Sequence, residues 1–140
     1  MSELRSTLRG MGTWSAEPFG NDSAADWAYE LDDAKDWGVV TDALRVAAEA
    51  APSELDSDDA VLAIAAAEVV ARSLGRVPDS PESVEAFVTR VSPPSPELVA
   101  LAVSALAVAT SDEGELAELW EGDPDWFAEN EKLRAALTTG

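Results

Sequence analysis

The chain has 140 residues with 28 acids against nine bases, no cysteine and no histidine, and a formal charge of −19. Zinc sites built on Cys or His, haem ligation by either, thiol nucleophiles and any Ser-His-Asp relay are therefore excluded. The charge repels phosphates and anionic membrane surfaces, so neither nucleic acid nor membrane is an expected partner.

The length suits one ordinary domain, and 11–140 reads as a single helical domain. Residues 1–10, "MSELRSTLRG", carry no core pattern and are expected to form a flexible extension before Met11. Without a disulfide framework, and without a basic-then-apolar leader at the start, the cytoplasm is the expected compartment. No segment alternates as a strand does, whereas helical spacing and helix punctuation recur throughout. The predicted fold is all-α: a compact bundle of six or seven short helices with a buried apolar third and fifth helix, preceded by an aromatic N-terminal loop.

Asn21 or Asp22 is placed to cap the first helix, on which Ala24, Trp27, Ala28, Leu31 and Ala34 share one face. Gly38, after Trp37, suits the left-handed residue that ends a helix. A second helix over roughly 39–50 buries Val40, Ala43, Leu44 and Ala47 before Pro52 stops it. Asp56 or Ser57 caps the third, and Gly75 terminates it; its residues are apolar almost all round, which places it near the centre. The pairs Ser80-Pro81, Ser95-Pro96 and Asp123-Pro124 each join a cap to a proline whose missing N–H is not needed in a first turn, and they open three further helices. The first of these shows Val84, Phe87, Val88 and Val91 at helical spacing. The second contains "LVALAVSALAVA", 12 residues long, where a membrane span needs roughly 20. Between the second and third, "ELAELW" sets Leu116, Leu119 and Trp120 on one stripe.

The stretch "GTWSAEPFGNDSAADW" is too rich in Gly and Pro for a continuous helix, so Trp14 and Phe19 are expected to fold back and close one end of the core. From Met11 this stretch resembles the opening of domain-of-unknown-function family 4259, a family of small bacterial proteins. The matching positions are Met11, Gly12, Trp14, Pro18, Phe19, Asn21, Asp22, Ala25, Asp26 and Trp27. "AAAEVVA" from Ala65 and "ELAELWE" from Glu115 are similar to further family segments, whereas "SAE" at 15–17 stands where the family commonly has a glycine-containing turn. The resemblance implies fold and class and brings no activity with it.

Three constellations carry the available chemistry. Asp22, Asp26, Glu30 and Asp33 fall at spacings of 4, 4 and 3 and form one helical stripe beside Tyr29 and Trp37. With Glu118 and Glu121 they supply the Glu-x-x-Asp and Glu-x-x-Glu pairs by which helical hydrolases hold Mg²⁺ or Ca²⁺, although a solvated helix face accounts for the stripe as well. Glu68, in the most apolar helix, is expected to be partly buried and paired with Arg72 four residues on; a cleft base or metal ligand is the alternative. In "SDEGELAELWEGDPDW", Trp120, Glu121, Asp123 and Trp126 form a candidate docking surface for a basic protein partner, unless both rings are core residues and the acids serve the helix dipole.

No catalytic set and no cofactor is assigned. Trp14, Phe19, Trp27, Glu68 and Arg72 are taken as structural. The expectation is an acidic helical binding or regulatory protein, of inhibitor or immunity type, acting on a macromolecular partner. One alternative is a metal-dependent hydrolase using Asp26, Glu30, Asp33, Glu118 and Glu121. The other is an acidic surface that reflects salt adaptation alone.

Overall fold

Helix punctuation governs the backbone of the computed structural model, which describes residues 22–75, 82–120 and 123–138. Helix α1 (Asp22–Ala28) runs into one 3-10 turn at Tyr29–Asp32, and α2 (Gly38–Ala48) is followed by another at Pro52–Glu54. Then come α3 (Ser57–Ser73), α4 (Glu82–Arg90), α5 (Pro96–Ala109), α6 (Glu115–Trp120) and α7 (Pro124–Thr138). These are the regular elements among the described residues, and none is a strand. The fold is all-α.

The expected caps recur in the geometry. Asp56 accepts the Asp59 N–H at 2.9 Å, Ser95 accepts that of Leu98 at 3.1 Å, and Asp123 accepts that of Asp125 at 2.8 Å just ahead of Pro124. Gly75 ends α3 at a φ of 76°, a conformation that glycine adopts without a Cβ penalty. Trp14, Phe19, Asn21 and the Ser80-Pro81 pair lie outside the described residues, as do residues 1–10.

Gly38 behaves differently from expectation. It opens α2 instead of closing α1, with its N–H donated to Asp36 Oδ1 at 2.9 Å. The chain has already left α-helical geometry at Tyr29, so the first helix needs no glycine to stop it.

At the centre, α3 packs against α1, α2, α4, α5, α6 and α7. A helix with neighbours on every side must present small side chains so that they can approach, and α3 buries Ala60, Ala63, Ala65, Ala66, Ala67 and Ala71 with Val61, Ile64, Val69 and Val70 between them. Helix α5 buries Leu98, Ala102, Ala105, Leu106 and Ala109 and exposes the small Ala100, Ser104 and Ala107 on its outer side. On α6 the buried stripe is Leu116, Ala117 and Trp120, while Leu119, expected inside, is exposed. Among the described residues no helix is long and apolar enough to cross a membrane.

Candidate functional site

Helix α2 carries a second apolar stripe, of which Val39 and Ala43 are half-buried against the core and Val46 is exposed. Val40, Leu44 and Ala47 face the core, whereas Val39, Asp42, Ala43 and Val46, at i, i+3, i+4 and i+7, line a groove of about 270 Å³. Trp27 and Glu30, one turn apart at the end of the first helical segment, form one wall; Asp59 and Leu62, one turn apart at the start of α3, form the other. The lining is thus apolar along α2 with three carboxylates, Glu30, Asp42 and Asp59, each from a different element.

The N-terminus of α3 brings the acids together. Its unsatisfied N–H groups and positive dipole end favour carboxylates. Asp56, Asp58 and Asp59 supply three from the chain itself, and Glu115 at the head of α6 reaches over to accept the Ser57 N–H at 2.6 Å. Close approach of the 111–115 segment is helped by Gly114, where a Cβ would stand 3.2 Å from the Ser111 carbonyl oxygen and 3.5 Å from that of Pro52. Acidic stretches near residues 30, 56 and 115 therefore meet around one helix end. Burial, and then the neighbouring Asp56 and Asp58 carboxylates, push the Asp59 carboxyl above its ordinary value.

Of the carboxylate stripe expected on the first helix and its partners on α6, the described members lie on the surface. Asp26, Glu30, Asp33 and Glu118 are all exposed, and among the described residues no group of three or more candidate ligands could hold a metal ion. The side chains of Asp22 and Glu121 lie outside the described residues.

The docking surface expected near the C-terminus needs correcting. Trp120, Asp123 and Trp126 are 6%, 2% and 3% exposed, so these rings cannot anchor an external partner. They stack on each other with centroids 6.1 Å apart and planes at 12°, and Asp123 is occupied as the cap of α7. Two large rings on successive helices bury more apolar area against each other than either would facing water. Trp27 is buried as expected, and Glu68 is buried as well. Arg72 bridges to Glu85 on α4 at 3.4 Å, and both Glu68 and Arg72 hold additional partners.

Asp42 and Asp59 were not singled out by their sequence. The available signal was the second apolar stripe of α2, Val39, Ala43 and Val46, beyond the one stripe a surface helix buries.

A family model described as "Domain of unknown function (DUF4259)" matches residues 12–132. The chain belongs to this family. The matched span holds every residue of the groove, and it runs from before α1 into α7. No curated protein and no solved structure matches the chain.

Proposed function

We propose that this DUF4259 member is a non-catalytic binding domain for a protein with a basic surface, engaged at the acidic end around the α2 groove. What supports this reading is the gathering of three sequence-distant acidic stretches at one helix end beside a half-buried apolar stripe that Val46 leaves exposed at its end. The described cations form no ion pair with them. Arg45, Arg72, Lys132 and Arg134 pair with Glu49, Glu85, Glu129 and Glu131, Arg90 is engaged by backbone carbonyls, and among the described residues the exposed Lys35 is a single further cation against the acids of this end. Glu30, Asp42 and Asp59 form no ion pair with a described cation. Uncompensated charge of one sign steers an oppositely charged partner and raises its on-rate.

Zero-length carbodiimide cross-linking in cells that express the protein from its own promoter tests this directly, because it joins carboxylates to lysines already in contact. The expected result is one dominant protein whose lysines join Glu30, Asp42, Asp58, Asp59 or Glu115. Cross-links spread evenly over remote acids such as Glu97 and Glu131 would overturn the reading.

A further inference from the structure

The groove is small and open, and its size and lining bear on which part of a partner it could take. Its volume of about 270 Å³ lies just below the roughly 300–1,000 Å³ typical of small-molecule sites. The α2 stripe from Val39 to Val46 spans two turns, roughly 10 Å of helix. That is room for a single long side chain and too little for a docked helix. Val46 is 49% exposed, so the apolar lining is open to an arriving stem.

The lining combines methylene-accepting surface from Val39, Ala43, Val46 and Leu62 with three separated carboxylates. A purely apolar side chain would cover the first and leave the carboxylates partly desolvated without partners. A bare metal ion would ignore the apolar walls, and the three acids are not gathered closely enough to ligate one. An aromatic cage for a methylated ammonium is excluded as well, since Trp27 is only 6% exposed and offers little ring face. An aliphatic stem ending in a charged head satisfies both halves of the groove, as long basic side chains do when they lie along apolar surface with the head in a polar rim.

Resting on the binding reading above, we infer that the groove receives one lysine or arginine side chain of the partner, its stem along α2 and its cationic head among Glu30, Asp42 and Asp59. The full chain, isotopically labelled, is titrated at constant ionic strength with N-acetyl-lysine methylamide. Parallel titrations use the arginine analogue and the norleucine analogue, which keeps the stem and lacks the charge. Saturable amide shifts are expected at Val39, Asp42, Ala43, Val46, Asp59 and Leu62, and the cationic probe with the tighter midpoint identifies the residue type. Norleucine should bind about fivefold more weakly or worse, and D42N should weaken both cationic probes by a similar factor. The exposed V46S variant keeps every acid and should weaken all three probes.

Several results would sink the inference. Unsaturable shifts spread over all surface acids would mean general counterion attraction. Equal binding of norleucine would make the carboxylates irrelevant, and groove shifts that grow with protein concentration alone would make a second copy the occupant. The two readings fail separately. Silent probes together with cross-links still concentrated at Glu30, Asp42 and Asp59 would remove the single-side-chain inference and leave the binding domain standing. Groove shifts with cross-links scattered elsewhere would overturn the binding reading, and with it the partner as the source of the side chain, while showing that the groove accepts a basic side chain.

Discussion

Arg90, on α4, holds the end of the first helical segment from far along the chain. Its guanidinium donates to the carbonyls of Asp32 at 3.1 Å and Ala34 at 3.0 Å, and also to that of Leu31. Carbonyls at the end of a helical segment lack intrahelical partners, and a planar cation with five donors can serve several at once. Arg90→Ala should therefore cost about 1–2 kcal/mol of stability, and Arg90→Lys should recover less than half, because one ammonium cannot reproduce the fork. Urea denaturation midpoints measure both; a loss below about 0.5 kcal/mol would mean that water serves these carbonyls equally well. Asp59 makes an opposite prediction. Its folded-state carboxyl is raised, so its ionisation costs stability: the contribution is present below the unfolded value and lost as pH rises through the folded one. Asp59→Asn should thus melt slightly above the natural protein at pH 7, with the difference vanishing below the ordinary aspartate range. A variant that melts lower at pH 7 would show that the helix dipole outweighs the burial and the Asp56 and Asp58 repulsion. Neither residue was legible beforehand, since Arg90 owes its role to carbonyls more than fifty positions away and Asp59 to a groove made by three elements.

Among the elements, most of the helical pattern was legible, because caps and periodicity act within a turn or two. Asp56, Ser95 and Asp123 cap where a short polar side chain precedes an apolar run, and the all-apolar third helix is central because no face of it suits water. The departures fall where neighbours decide. Leu119 lies outside because α6 is under two turns long and turns only Leu116, Ala117 and Trp120 inward. Trp120 and Trp126 suit a core or an interface equally by residue type, and their stacking inside the bundle decides for the core. Glu115 illustrates a cap that no local pattern announces, since it serves α3 from the head of α6. Glu115→Ala should cost about 1 kcal/mol and Glu115→Gln less, because glutamine keeps an acceptor and loses only the charge–dipole part. Thermal melts of the two variants check the order, and equal losses would assign the whole effect to charge.

For the whole molecule, the question is what a charge of −19 does to the native state. The acidic stretches around residues 30, 56 and 115 are brought together by folding, so they repel more in the native state than in the unfolded chain. Against this stands a core that fully buries Phe87, Leu31, Leu44, Leu106 and Leu116 around α3. The protein should unfold cooperatively even at about 10 mM salt, with a melting temperature that rises as KCl is added and levels off near 1 M, where the Debye length is roughly 3 Å. Melts up to about 2 M KCl test this. A chain unfolded at low salt would make the acids a device for salt adaptation and remove the chief support for a basic partner.

By itself, the sequence determined the helical class, the order of the caps, the central place of the Ala-rich third helix, the family resemblance, the net charge, and, through the absence of Cys and His, the impossibility of thiol or imidazole chemistry. These depend on residue identity and on interactions a few positions long. Only the tertiary structure decided which carboxylates share a space, which tryptophans are sealed inside, and which side of α2 stays open. Glu30, Asp42 and Asp59 lie on three elements, and their proximity comes from helix packing around α3, which no spacing along the chain encodes.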